Sequence, residues 1–251
     1  MELGELLTTI EQVAQSIGTS TPYICGGTPR DKYMDRVEAV SDIDLTTGDK
    51  TIQHLAKEVS IKLRGPNTSF KTMPDGHSKL TIDGISVDFS SNFIMPGMDP
   101  LLTNNGLENP TEMQKELYSR DFTCNALLMS LDLKNLSDPI GLGMQDINNK
   151  IIRTCVPARL TLGHDNKRVV RVIYMAAKLG FDVDPEIKEW IKANPETIST
   201  PSNGYVIKKL KQAFGYNEQI TLSLLDELGL WQHLPPSDEL TKYISQDVRR
   251  I

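Results

Sequence analysis

Pro22-Tyr23-Ile24-Cys25-Gly26-Gly27, continuing through Thr28-Pro29-Arg30-Asp31 to Ser41-Asp42-Ile43-Asp44-Leu45, decides how this chain is read. The short apolar run ended by two glycines predicts a strand entering a tight turn. Arg30 to Val37 predicts a helix, and Ser41 to Thr47 alternates polar and apolar residues as a half-buried strand does. On such a strand Asp42 and Asp44 project from one face, while Ile43 and Leu45 point into the core. Two carboxylates this close repel unless a cation lies between them. Magnesium favours carboxylate and phosphate oxygens, so the pair suits metal-assisted phosphoryl or nucleotidyl transfer. An Asp-x-Asp pair is common at strand ends and says little alone. Gly26 and Gly27 upstream add weight, because glycine lets the backbone approach a phosphate and a helix start can bind one.

Working outward, Leu6, Leu7, Ile10, Val13 and Ile17 have helical spacing, with Gly18 as the stop. Ile52 to Leu63 is helical again. Lys79–Ile82 and Ile85–Phe89 flank Asp83-Gly84, which predicts a hairpin. Its second strand carries Asp88 between Val87 and Phe89. The pattern leaves two readings of Asp88 open: a third carboxylate beside Asp42 and Asp44, or an acid on the solvent face. Met95 to Pro110 is rich in Pro, Gly and Asn and reads as a mobile loop. Thr123 to Met129 reads as a helix start, with strand as the alternative for the run into Leu133. From Thr161 onward every periodic segment is helical. These segments place a boundary near residue 150, between a mixed head, residues 1–150, and an all-helical part, residues 151–251.

The 251 residues carry a formal net charge of −6, which disfavours broad, nonspecific nucleic-acid binding. A local basic groove stays open as one reading of Lys167, Arg168, Arg171, Lys178, Lys208, Lys209 and Lys211. The other reading is a set of solvated helix surfaces. No apolar run is long enough to span a bilayer, and the first residues lack the pattern of a signal peptide. Cys25, Cys124 and Cys155 are odd in number, widely spaced and in apolar contexts, so they read as buried thiols rather than a disulfide or zinc framework. A cytoplasmic protein with no membrane partner is expected.

Four motifs in order give the chain a specific resemblance. Cys25-Gly26-Gly27-Thr28-Pro29-Arg30-Asp31 resembles GGxVRD, and Ser41-Asp42-Ile43-Asp44-Leu45 resembles a metal-binding DxD. Ser119-Arg120-Asp121-Phe122-Thr123-Cys124-Asn125-Ala126-Leu127 resembles RRDFTINAL. His164-Asp165-Asn166-Lys167-Arg168-Val169-Val170-Arg171, running on to Lys178-Leu179-Gly180-Phe181, resembles EDxxRxxR…RLGF. Asp138-Pro139-Ile140-Gly141-Leu142-Gly143 with Asp146 is similar to a head-to-neck hinge. Together these resemble the class II tRNA nucleotidyltransferases, the CCA-adding enzymes, and bacterial poly(A) polymerases. Pro29, Ser119 and His164 depart from that pattern, and the 70 residues after Phe181 are fewer than longer members carry.

The resemblance implies an α+β fold. A polymerase-β-like nucleotidyltransferase head, with a small mixed sheet and helices, would precede an all-helical neck and a shortened body. It implies that Asp42 and Asp44 bind Mg2+ and that Asp88 completes the catalytic carboxylates. Gly27 and Arg30 would help hold the incoming nucleotide's phosphates, with Gly26 and Asp31 in the same nucleotide-binding set. Arg120, Asp121 and Asn125 would recognise ribose and phosphate, and Asp165 and Arg168 the base edge of CTP or ATP, with Arg171 next to them. Residue spacing puts Asp165, Arg168 and Arg171 at three-residue steps, on one side of a helix. The implied reaction is two-metal transfer of a nucleotide to the 3′ hydroxyl of tRNA or another RNA, with no His or Cys nucleophile. CCA addition or repair is the first expectation. Oligo(A) tailing, a non-RNA acceptor and a nucleotide-binding module without catalysis are the alternatives. The oligomeric state is not legible.

Overall fold

A computed structural model describes residues 1–36, 42–74, 76–91, 95, 97–237 and 240. The chain divides into two compact units, Met1–Ile147 and Asn148–Ile251.

The first unit begins with α1 (Leu3–Ile17), which buries Leu6, Leu7, Ile10, Val13 and Ala14 and stops at left-handed Gly18. Glu2 and Glu5 form a capping box at its start, satisfying N–H groups that the first turn leaves open. Then follow β1 (Tyr23–Cys25), α2 (Gly27–Tyr33), β2 (Asp42–Thr46), α3 (Thr51–Lys62), β3 (Thr68–Thr72), β4 (Ser78–Ile82) and β5 (Ile85–Phe89). After them come α4 (Met98–Asn104), α5 (Glu112–Tyr118), β6 (Leu128–Met129), β7 (Leu136–Ser137) and α6 (Gly143–Asn149). The strands form one seven-stranded sheet in the order β3-β4-β5-β2-β1-β6-β7. Its β2–β5 pair is parallel and its other neighbours are antiparallel.

The register of β2 follows from burial. Ile43 and Leu45 belong to one apolar cluster with Leu6, Ile10, Leu55, Val59, Leu80, Val87 and Phe89. Fully burying such a side chain contributes roughly 1.5–3 kcal/mol. A one-residue slip would exchange Ile43 and Leu45 for Asp42 and Asp44, so the core holds the carboxylates on the opposite face. The hairpin register is set locally. Asp83 and Gly84 both have positive φ, 48° and 86°, as a two-residue turn of the primed type requires.

Several elements differ from the sequence reading. The Pro-, Gly- and Asn-rich stretch after Met95 is not loop throughout: α4 forms within it because Met98 and Leu102 reach the core. After it, α5 starts at a Thr111–Gln114 capping box. Thr123–Asn125 is a single 3-10 turn, and the strand after it is β6, paired with β1 and β7. β3 was not anticipated. It is an edge strand, TSFKT, with no fully buried residue, so it lacks an apolar alternation. Helix α2 starts at Gly27 and accommodates Pro29 in its first turn. Val37 and Ser41, the expected end of one element and start of the next, lie outside the described residues.

The second unit contains β8 (Ile151–Ile152), α7 (Ala158–His164), α8 (Lys167–Leu179), β9 (Asp182–Val183), α9 (Pro185–Ala193), α10 (Asn203–Tyr216) and α11 (Glu218–Glu227). Helix α8 is its centre, burying Val169, Val170, Val172, Ile173, Met175, Ala176, Ala177 and Leu179, and it packs on α10 and α11. The expectation of helix throughout the part after Thr161 is corrected by β9. Gly180 ends α8 in the left-handed conformation, and Val183 then buries itself beside Ile152 in a short parallel pair. Among the described residues, no helix is long and apolar enough to cross a membrane.

Candidate functional site

The carboxylates gather where three strands run side by side. In the β2–β5 ladder Asp44 lies opposite Asp88 and Asp42 opposite Ser86. Residues opposite one another share a face, so Asp42, Asp44 and Asp88 share one, away from the core. On the far side of β5, β4 places Lys79 opposite Asp88. The Lys79 Nζ lies 3.1 Å from Asp88 Oδ2 and 4.0 Å from Asp42 Oδ1. A lysine thus supplies the cation that the repelling carboxylates need. Sequence reading missed Lys79, although the two-residue Asp83-Gly84 turn fixes the pairing of residue 79 with residue 88.

Gly26 closes the site at the end of β1. Its φ of 74° and ψ of −129° favour glycine. A Cβ there would lie 2.5 Å from Asp44 Oδ2, so both the backbone and the neighbouring carboxylate require its absence. Among the described residues, no three His, Cys, Asp or Glu side chains converge to hold a metal ion unaided. Among those residues no all-protein cage of the zinc or calcium kind is assembled. Magnesium does fit, because it binds through one or two carboxylates and completes its shell with phosphate oxygens and water.

Beside the carboxylates runs a chain of polar contacts between α2 and the Asp121–Asn125 segment. The Arg30 guanidinium donates twice to Asp31, at 2.8 and 2.9 Å, and through Nη1 to Asn125 Oδ1 at 2.6 Å. Asn125 Nδ2 in turn donates to Asp121 Oδ1 at 3.0 Å, which also accepts the Phe122 N–H. Arg30 is 2% exposed. The structure thus places it inside this network, holding Asp31 and Asn125, rather than on the open face expected of a phosphate ligand.

Arg120 is likewise buried. It donates to Glu116 Oε1 at 2.8 Å and to Cys25 Sγ at 3.0 Å. Burial opposes its charge, but Cys25, Glu116 and Asp44 outweigh this and raise its pKa. It is a fixed positive charge behind Asp44, not an exposed ligand. Burial pushes the Cys25 thiol up to about 12. Thr123 donates to the buried carboxylate of Asp146 at 2.7 Å. Nearby, a Cβ on Gly143 would lie 2.7 Å from the Thr123 carbonyl oxygen, which locks the expected hinge segment to the same turn.

In the second unit, Asp165 and Arg168 lie together but not as expected. Asp165 sits in extended backbone at the end of α7, before α8, where its Oδ1 accepts the Lys167 N–H at 3.1 Å. Such a local side-chain bond competes with helix continuation, so Asp165, Arg168 and Arg171 do not line one side of a single helix. The Arg168 guanidinium is buried and donates to Thr161 Oγ1. Its Nε is 3.9 Å from Asp165 Oδ2. Arg171 is half-buried on the next turn of α8.

The family model for the poly A polymerase head domain matches residues 22–153. Among curated relatives, the chain is 28% identical over 217 residues to the CCA-adding enzyme of Geobacillus sp. (strain WCH70), covering 85% of this chain and 50% of that protein. It is 27% identical over 201 residues to the A-adding tRNA nucleotidyltransferase of Aquifex aeolicus, covering 76% of this chain and 23% of that protein. Among solved structures, the Bacillus stearothermophilus CCA-adding enzyme in complex with CTP superposes with a TM-score of 0.70 at 22% identity, covering 94% of this chain and 55% of that one. The chain thus spans about half the length of the Geobacillus relative and of the solved structure.

Proposed function

The chain belongs to the poly A polymerase head-domain family, and from that premise we propose a magnesium-dependent RNA nucleotidyltransferase that adds or repairs the 3′ CCA end of tRNA from CTP and ATP. The observation that carries this reading is the register that sets Asp44 opposite Asp88 with Asp42 on the same face, beside a glycine turn that only glycine fits.

Asp42 and Asp44 hold the metal, with Asp88 at the edge of the site. When bound, magnesium neutralises the triphosphate and lowers the pKa of the attacking 3′ hydroxyl. Lys79 keeps the carboxylates from repelling one another before that. Gly26 leaves room for the Asp44 carboxylate, and the backbone of Gly26 and Gly27 lies against the phosphates. Arg30 and Asp31 position Asn125 and Asp121, which orient the sugar and phosphates of the nucleotide. Arg120 holds its positive charge behind Asp44.

Asp165 and Arg168 read the base. A carboxylate accepts from an exocyclic amine, and a guanidinium donates to a ring nitrogen or a carbonyl oxygen. Cytosine and adenine each offer an amine beside a ring acceptor, whereas uracil and guanine offer a carbonyl there. Arg171 continues this positive edge. The burial of Cys25, Cys124 and Cys155, with no disulfide framework in their spacing, supports a reducing compartment, the cytoplasm.

The test is incorporation of each labelled NTP, with magnesium, onto tRNA ending before or within CCA. Addition of C and then A is expected. The Aquifex relative makes addition of A alone the second reading, and no incorporation on any RNA overturns both.

A further inference from the structure

Thr161 has no part in the reading above, yet it touches the side chain on which base choice turns. It lies fully buried on α7, which packs against α8 and α9. From α8, Arg168 Nη1 donates to the Thr161 hydroxyl oxygen. On its other side, Arg168 Nε is 3.9 Å from Asp165 Oδ2, an ion pair beyond hydrogen-bond distance. A guanidinium is planar and its donors point outward in that plane. Of these two contacts, the one to Thr161 is the directional one, so it sets how the plane is turned.

The hydroxyl is itself held from α9. Asp184 begins that helix, with Oδ1 accepting the Glu186 N–H at 2.9 Å and Oδ2 lying 2.6 Å from Arg153 Nη1. Glu186 Oε1 in turn accepts the Ala158 N–H at 3.0 Å, at the first residue of α7. Ala158 and Leu162 bury themselves on the same short helix. Supported in this way, the oxygen that Arg168 meets has a fixed place. Its chemistry also suits the task. A carboxylate at position 161 would take the guanidinium as a bidentate ion pair and compete with a nucleotide for it. A hydroxyl accepts one N–H and brings no charge. Without that tether the guanidinium can turn and donate to a carbonyl oxygen, which uracil and guanine present where cytosine and adenine present an amine.

We propose that Thr161 is a positioning residue for base choice: its hydroxyl holds the Arg168 guanidinium in the orientation that admits CTP and ATP and rejects UTP and GTP. This rests on the reading of Asp165 and Arg168 as the base-reading pair and names the group that sets the pair's selectivity from outside it.

The experiment measures single-turnover incorporation of CTP and of UTP by the full chain, with magnesium, onto tRNA ending before CCA, across a range of nucleotide concentrations. Thr161→Val keeps the volume and removes the hydroxyl. Its preference for CTP over UTP is expected to fall about ten-fold or more, the worth of one hydrogen bond to a charged group. The half-saturating CTP concentration should rise by a larger factor than the maximal rate falls. Thr161→Ser keeps the hydroxyl and should hold the preference within about three-fold of wild type. In an Arg168→Ala background, Thr161→Val should change the preference no further, because it acts through Arg168. Should urea unfolding show that the valine variant does not fold, Thr161→Cys, close in size and only a weak acceptor, gives the same readout. An unchanged preference in the folded variant, an equal loss for both nucleotides, or a further loss in the Arg168→Ala background overturns the proposal while incorporation by the wild type stands. A wild type that incorporates both nucleotides equally overturns base reading by Asp165 and Arg168, and with it the role of Thr161. A wild type that incorporates neither overturns the functional reading as a whole.

Discussion

Replacing Gly26 with alanine strikes the site at its narrowest point. The substitution places a Cβ on a residue with φ 74° and ψ −129°, at a cost of about 1–3 kcal/mol for a side chain in a sparsely populated backbone region. The same Cβ would sit 2.5 Å from Asp44 Oδ2, and forcing atoms into a packed position adds about 1–3 kcal/mol. Asp44 can relieve the clash by leaving its rotamer, at about 0.5–1.5 kcal/mol, but its carboxylate then no longer faces the site. Either way the variant loses stability, function or both. The net expectation is a destabilisation of about 2–4 kcal/mol, a large part of the 5–15 kcal/mol typical of a domain.

Gly27→Ala is the matched control. Its Cβ would lie 3.3 Å from the Arg30 Nη2, a contact relieved by a shift of a few tenths of an ångström rather than by the rearrangement Gly26→Ala demands. Alanine also favours the helix that starts there, so its change should stay within about 1 kcal/mol. Urea unfolding of both variants, with nucleotide incorporation measured alongside, decides the matter. A Gly26→Ala protein with the wild-type urea midpoint and full incorporation would refute the argument that the turn and the Asp44 carboxylate share one space.

Lys79→Met removes the cation between Asp88 and Asp42. Because the pair is partly exposed, metal-free stability should fall by less than about 1 kcal/mol, while Mn2+ affinity, read by electron paramagnetic resonance, should rise a few-fold; unchanged metal affinity would count against Lys79 as a stand-in cation. Arg120→Met leaves the carboxylate of Glu116, 1% exposed, without this partner, and should destabilise by about 3–5 kcal/mol. The double variant Arg120→Met/Glu116→Leu should recover most of that in thermal unfolding, and equal losses in the single and double variants would contradict the buried-pair account. Burial pushes the Cys25 and Cys124 thiols up to about 12, so below that pH both stay protonated. A disulfide reagent should then react with neither in the native protein between pH 7 and 9, and rapid reaction of either would contradict their burial.

Local chemistry made much of the head legible. The alternation of Asp42-Ile43-Asp44-Leu45 gave β2 its faces because Ile43 and Leu45 are buried, and the Asp83-Gly84 turn gave the β4–β5 hairpin because both residues take positive φ. What the chain hid was non-local. The edge strand β3 has no apolar alternation, and α4 sits in a stretch whose composition reads as loop but whose Met98 and Leu102 reach the core. The burial of Arg30 and Arg120 depends on partners 95 residues away, Asn125 for the first and Cys25 for the second, which a motif does not print. Asp165 left the helix because its own side chain caps the N–H of Lys167, a competition that three-residue spacing does not reveal. The place of Asp88 opposite Asp44 needed the parallel pairing of β5 with β2, which no turn between them announces.

The most direct test of the central claim is single-turnover incorporation of labelled CTP into tRNA lacking its CCA end, with magnesium, comparing wild type with Asp44→Asn. Asparagine keeps the shape beside Gly26, removes the charge and turns one acceptor oxygen into a donor. The account predicts a protein that still folds, by urea unfolding, with incorporation reduced about a thousand-fold or more, the loss of several kcal/mol of metal-assisted stabilisation. A folded Asp44→Asn protein that incorporates CTP within ten-fold of the wild-type rate would contradict it.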